Sequence, residues 1–299
     1  MRLVATLLVR DEVDVVAATV EHHLDQGASM VVVTDNGSVD GTVDVLEEYA
    51  AAGVVDLIHE PDQTYRQAEW VTRMARRAAA EHGADWVVNL DADEFWVPKS
   101  RGSALRDVLE GVPLEYGTVV AHRTDLVGLR GTWGPWPRRL RWRNLQTVSE
   151  RGTPLAPKVC HRADLRIEVS QGNHAVGGTA LAPLPGEPLD IYHVPLRSWA
   201  QFRRKIDNGG SAYAANTELS PEVGWHWRAD YARLRSGELE EAYRERLLDA
   251  RSLYRAIRTG TVRRDSTLLR HLVALQARAV RPDLLRDVLL GVRPTNGVG

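Results

Sequence analysis

Four short apolar runs, residues 3–9, 29–34, 54–59 and 85–90, alternate with three segments of helical period, residues 13–26, 40–51 and 67–82. In the first of those segments Val13, Val16, Ala17, Val20 and Leu24 fall on one helical face, and Gly27 stands where the helix should end. The pattern is β-α-β-α-β-α-β with short connections. Strands joined this way pair in parallel through right-handed crossovers, so the first ninety residues predict an open α/β sheet flanked by helices. A sheet of that kind binds its ligands beyond the carboxyl ends of its strands.

The fourth run ends in acids. In Trp86-Val87-Val88-Asn89-Leu90-Asp91-Ala92-Asp93-Glu94-Phe95-Trp96 four of the five residues before Asp91 are apolar, which suits a strand buried on both faces. Side chains alternate along a strand, so Asp91 and Asp93 should share one side of its end. Two adjacent carboxylates remain ionised together if they share a cation, and oxygen ligands favour Mg²⁺ or Mn²⁺. The alternative is that the acids cap the strand or pair with nearby arginines. The stretch Asp35-Asn36-Gly37-Ser38-Val39-Asp40-Gly41-Thr42 follows the second run and opens a helix, so its amides face the same crevice. It matches neither G-x-G-x-x-G nor G-x-x-x-x-G-K-[ST], which argues against a dinucleotide fold or a P-loop.

Charge is divided unevenly along the 299 residues. Residues 1–97 hold 19 acids and 6 bases, leaving 21 of the 40 acids and 32 of the 38 bases beyond them. An acidic first part suits a cation site. The basic remainder can close over an anionic ligand, or its arginine-rich helices can simply be solvated. The single cysteine, Cys160, excludes an intrachain disulfide and fits a reducing compartment, so a cytoplasmic protein is expected. No stretch approaches the eighteen apolar residues of a membrane span, and the apolar start reads as a first strand rather than a signal segment. Peripheral contact of the basic C-terminal helices with the inner membrane face is a further expectation.

Beyond Pro98 the period weakens. The spacing predicts a helix over 103–110, strands over 117–124, 159–169 and 189–194, and a helix over 198–208 ending at Gly209-Gly210. Residues 131–143 are dense in Trp, Pro and Arg. Such aromatics can stack on a sugar or base, or anchor a loop. Helices are predicted at 231–234, 238–257, 266–278 and 282–290, with a disordered tail after Pro294.

The strings Leu8-Val9-Arg10-Asp11-Glu12, Val33 to Thr42 and Trp86 to Trp96 resemble the pattern of glycosyltransferase family 2, in the branch that also resembles family 92 glycosyltransferases. The resemblance covers residues 1–97 and reaches, through Lys158, Gly172-Asn173-His174 and residues 193–205, to about 208. It implies a GT-A fold over residues 1–210, with a nucleotide-binding half at 1–97, an acceptor half at 98–210, and a helical, basic region at 211–299. It also implies a metal-dependent transfer, with inversion, of a sugar from a nucleotide-diphosphate sugar to the hydroxyl of a saccharide or lipid-linked acceptor; nucleic acid is not an expected partner. By this resemblance Val9, Asp11, Asp35 and Asp91 contact the donor nucleotide, Asp35 at the base and Asp91 at the ribose. Asp91, Asp93 and His193 hold a divalent cation. His174 competes with His193 or serves as base, Arg197 and Lys205 close over the diphosphate, and Glu94 supports the metal or accepts from the acceptor sugar. The chain departs from the pattern in having Asp11-Glu12 for Asn-Glu, and in lacking a clear acidic pair after residue 120, which leaves the base unassigned. A nucleotidyltransferase would use the same crevice but wants a Gly-rich basic loop after the first strand. A non-catalytic adaptor for glycans or membrane surfaces is the non-enzymatic alternative.

Overall fold

The computed structural model describes residues 1–62, 66–148, 152–215 and 224–292. The first part follows the predicted alternation as β1 (Leu3–Val9), α1 (Val16–Asp25), β2 (Ala28–Asp35), α2 (Thr42–Ala51), β3 (Val55–His59), α3 (Gln67–Ala80) and β4 (Trp86–Asp91). These four strands are mutually parallel in the order β3-β2-β1-β4. The chain then turns at Ala92-Asp93 into β5 (Glu94–Pro98), followed by α4 (Leu105–Glu110), β6 (Tyr116–Val127), α5 (Trp136–Arg139), β7 (Trp142–Asn144) and β8 (Lys158–Arg162). Next come β9 (Glu168–Val169), a single turn at Gln171–Asn173, β10 (Val176–Gly177), β11 (Ala182–Pro183) and β12 (Leu189–His193). Here the sheet becomes mixed: β8 runs antiparallel to both β4 and β6, while β12 lies parallel to β6 and antiparallel to β5.

The remainder is α6 (Trp199–Ala215), α7 (Trp225–Ser236), α8 (Leu239–Arg246), α9 (Ala250–Arg258), a short β13 (Val262–Arg264) on the sheet edge, α10 (Thr267–Leu275) and α11 (Pro282–Leu290). One face of the sheet packs Leu7, Val33 and Val88 against Val16 and Val20 of α1, Leu46 of α2, Leu272 of α10 and Leu285 of α11. The other face packs Val4, Val32 and Val87 against Val71, Met74 and Ala78 of α3. Strands covered on both faces explain why the runs at 3–9, 29–34 and 85–90 read as continuously apolar. The C-terminal helices therefore return to the first helix. Among the described residues no helix is long and apolar enough to cross a membrane.

Three expectations differ from the structure. The helix predicted to stop at Gly209-Gly210 continues to Ala215. Those glycines serve packing instead. A Cβ on Gly209 would stand 2.4 Å from the Trp227 ring and one on Gly210 2.5 Å from Cβ of Tyr231, so α7 lies against bare backbone. The helix predicted over 238–257 is broken at Leu247-Leu248, where the Leu248 N–H donates to Gly128 O at 3.1 Å and Asp249 caps α9 through the Ser252 N–H. Residues 131–143, irregular by period, hold α5 and the start of β7; Trp136 is buried with its Nε1 donating to Asp14 O at 2.9 Å, so it anchors the segment, whereas Trp133 is exposed. The predicted tail after Pro294 lies outside the described residues.

Gly210→Ala is expected to destabilise the protein by about 1–3 kcal/mol through overpacking, despite alanine's better helix propensity. Urea denaturation measures this; an unchanged or raised midpoint would mean that α7 does not press on the backbone at Gly210.

Candidate active site

The parallel strands β1, β2 and β4 end side by side, with Val9 paired to Asp35 and Leu8 to Asp91 in the ladder. This register brings residues 11, 35, 91 and 93 to one rim. Val9 is buried and its carbonyl accepts from the Asn36 N–H at 2.9 Å, so it fixes the loop after β2. Asp11 lies just beyond β1 with φ of 56°, a left-handed conformation that costs a non-glycine residue energy and persists because its surroundings hold it. Its Oδ1 accepts from the Val39 N–H at 2.8 Å and its Oδ2 from Asn208 of α6 at 2.6 Å. Asp35 Oδ2 accepts from the N–H groups of Gly37 and Ser38, while its Oδ1 is buried without a hydrogen-bond partner. An acceptor left free in a polar crevice is where a ligand N–H would be satisfied.

Asp91 and Asp93 diverge. Asp91 turns to Lys158 of β8 at 2.5 Å and to the Asn173 side chain at 3.1 Å, and Asn173 itself has φ of 59°. Asp93 faces Lys205 at 2.6 Å, His193 Nε2 at 3.5 Å and Arg197 at 3.6 Å. Burial opposes the charge of both acids, but Lys158 outweighs it at Asp91, and Lys205 with His193 outweighs it at Asp93, so both stay below the usual carboxylate range. Glu94, fully buried, is pushed up by burial even though Lys158 at 3.2 Å and Arg123 at 3.6 Å oppose that. It has no exposed surface, so of its two expected roles the buried position suits support of the site better than contact with an acceptor sugar. Lys158 itself, 1% exposed, is kept charged by Asp91 and Glu94 against the effect of burial.

The remaining predicted residues separate by position. Arg197 is buried and committed to Glu12 and, at 2.9 Å, to Asp14; burial disfavours its charge but these acids raise its pKa, and it ties the start of α6 to the turn before α1 rather than standing free for a diphosphate. Glu12 beside it is raised by burial to about 7, with Arg197 opposing. Lys205 is partly exposed over Asp93 and does face the crevice. His174 gives its ring to the Pro157 carbonyl at 2.8 Å and takes no part in the Asp93–His193 pair; burial lowers its pKa and keeps it neutral.

Among the described residues no group of three His, Cys, Asp or Glu is arranged to hold a metal ion, and Asp91, expected as a third ligand, is hydrogen-bonded to Lys158 and Asn173. Asp93 and His193 nevertheless fit a cation completed by phosphate oxygens and water. Their Oδ2 and Nε2 face each other, and the Nδ1 of His193 is engaged by Asp125 Oδ1 at 2.7 Å. Burial opposes charge on His193, yet Asp93 and Asp125 raise its pKa to about 9, so a cation would displace the Nε2 proton. Sequence reasoning missed Asp125, which sits in no motif; only the pairing of β12 with β6 reveals it.

Residues 4–122 match the model of glycosyltransferase family 92. The match spans less than half of the chain, includes Asp11, Asp35, Asp91, Asp93 and Glu94, and supports glycosyltransferase activity. No curated protein matches the chain. Similar solved structures include residues 1–349 of S. aureus TarS, at 13% identity over 74% of this chain and 67% of that one, TM-score 0.43. The same TarS fragment in complex with UDP-GlcNAc gives 11%, 78%, 72% and 0.43. A third is glucosyl-3-phosphoglycerate synthase from Mycobacterium tuberculosis, with Mn²⁺, UDP and glucosyl-3-phosphoglycerate, at 19% identity over 41% of this chain and 44% of that one, TM-score 0.27.

Lys158→Met should cost about 3–5 kcal/mol of stability in urea denaturation, because it leaves the buried Glu94 and the partly buried Asp91 without their shared countercharge. Adding Glu94→Gln should recover part of that loss; no recovery would mean that the Lys158–Glu94 pair contributes nothing.

Proposed function

We propose that this chain transfers a sugar from a nucleotide-diphosphate sugar to a hydroxyl acceptor, a saccharide or a lipid-linked one, with a divalent cation in the site. The observation that carries the reading is the gathering of Asp11, Asp35, Asp91 and Asp93 at adjoining parallel strand ends within the segment that matches family 92. In this reading residues 1–97 form the nucleotide half of a GT-A-type domain and residues 98–210 the acceptor half. The free Oδ1 of Asp35 accepts from an N–H of the base, and Asp91, aimed by Lys158 and Asn173, accepts from a ribose hydroxyl. Asp93 and His193 hold Mn²⁺ or Mg²⁺, which supplies charge neutralisation of the departing diphosphate. Lys205 moves from Asp93 to a phosphate oxygen, trading one anion for another in a low-dielectric crevice. Transfer with inversion by a single displacement follows from the family resemblance.

A thermal-shift panel tests this with UDP, GDP, CDP and dTDP, each with Mn²⁺, Mg²⁺ or EDTA. A ligand that binds only the folded state raises the midpoint in proportion to RT ln(1 + [L]/Kd), about 2.7 kcal/mol at a hundredfold excess over Kd. One nucleotide stabilising in the presence of metal, with that shift lost in Asp35→Ala, is the expected result. No shift with any nucleotide overturns the proposal.

A further inference from the structure

We infer that Asp125 is a positioning residue for the cation site, holding His193 so that Nε2 faces Asp93. The inference rests on the sugar-transfer reading only in taking Asp93 and His193 as the cation's ligands. Its basis is the sheet. β12 lies between β5 and β6, and the register sets His193 abreast of Glu94 on one side and of Asp125 on the other. With His193 and Asp125 level in adjoining parallel strands, Nδ1 meets Asp125 Oδ1 at 2.7 Å, leaving Nε2 at 3.5 Å from Asp93 Oδ2.

A five-membered ring has two nitrogens, and a metal takes whichever offers its lone pair. When a carboxylate accepts Nδ1–H, the neutral tautomer presents Nε2 as ligand and rotation of the ring is restrained. Asp93 is placed independently of this, since its backbone carbonyl accepts from the Val194 N–H at 2.9 Å at the end of the same β12. Both halves of the ligand pair are thus set by one strand and its neighbours. Arg197 and Lys205 lie on Asp93, and Arg123 faces both Glu94 and Asp125; none of them contacts Nδ1. Asp125 is about one-third exposed, so its truncation opens no closed cavity, and His193 keeps Asp93 as a second carboxylate neighbour.

The test is Mn²⁺ binding to the full chain, followed by electron paramagnetic resonance of free Mn²⁺, with Mn²⁺ alone and with Mn²⁺ plus UDP. His193→Ala should abolish binding. Asp125→Ala should weaken it about 10- to 100-fold. Asp125→Asn, whose amide oxygen still accepts Nδ1–H, should weaken it less, and neither Asp125 variant should change metal-free UDP affinity. Wild-type binding with unchanged affinity in Asp125→Ala overturns this inference alone, and a loss of turnover there would place Asp125 on the substrates instead. Absence of Mn²⁺ binding by the wild-type chain overturns it together with the cation assignment.

Discussion

The structure depends on one electrostatic problem and its solution. The end of β4 and the turn into β5 bring Asp91, Asp93 and Glu94 close together where like charges repel, and the chain neutralises them with cations from elsewhere: Lys158 on β8, Arg197 just before α6 and Lys205 within it. Carboxylates removed from water this far would be strongly destabilising without partners. The residues that answer them are distant in sequence, so the rim forms only when β8, β12 and α6 have docked.

The same constraint organises the rest of the molecule. The imbalance between an acidic first part and a basic remainder is largely resolved by contacts between them: Arg197 with Glu12 and Asp14, Arg204 with Asp40, Lys205 with Asp93, Arg278 with Asp25, and Arg281 with Glu48. The buried members of this set matter most, because exposed pairs contribute little. Asn208 adds an uncharged tie from α6 to Asp11. One face of α6 thus spans the crevice, and its other face packs Phe202 and Ile206 against Tyr243 of α8. A ligand carrying a diphosphate and a cation brings both signs of charge to this face and can exchange partners with it.

Backbone strain falls at two points of the candidate site. Asp11 and Asn173 are the non-glycine residues with positive φ among those described, and both are hydrogen-bonded into the rim, one to the loop after β2 and α6, the other to Asp91. Strain of this kind survives where the surrounding bonds over-determine the conformation, which is what a preorganised site requires.

The sequence by itself determined the N-terminal third of the fold. Period and short connections were enough for β1 to β4 and their helices, because β1, β2 and β4 are covered on both faces and α2 and α3 bury one apolar face each. The positions of Asp35, Asp91 and Asp93 were legible for the same reason, since an acid ending an apolar run marks a strand end. What only the tertiary structure decided was how those acids are partnered. Whether Gly209-Gly210 ends a helix or admits Trp227 and Tyr231, whether Leu248 continues a helix or pairs with the segment at Gly128, and whether Asp91 shares Asp93's partners or takes Lys158 are settled by elements far away in the chain. Asp125 is the clearest case: nothing local distinguishes it, and it acquires its neighbour His193 from the register of two strands more than sixty residues apart. Local sequence fixes periodicity and burial, but the pairing of charges across the sheet depends on register, and register is a property of the assembled fold.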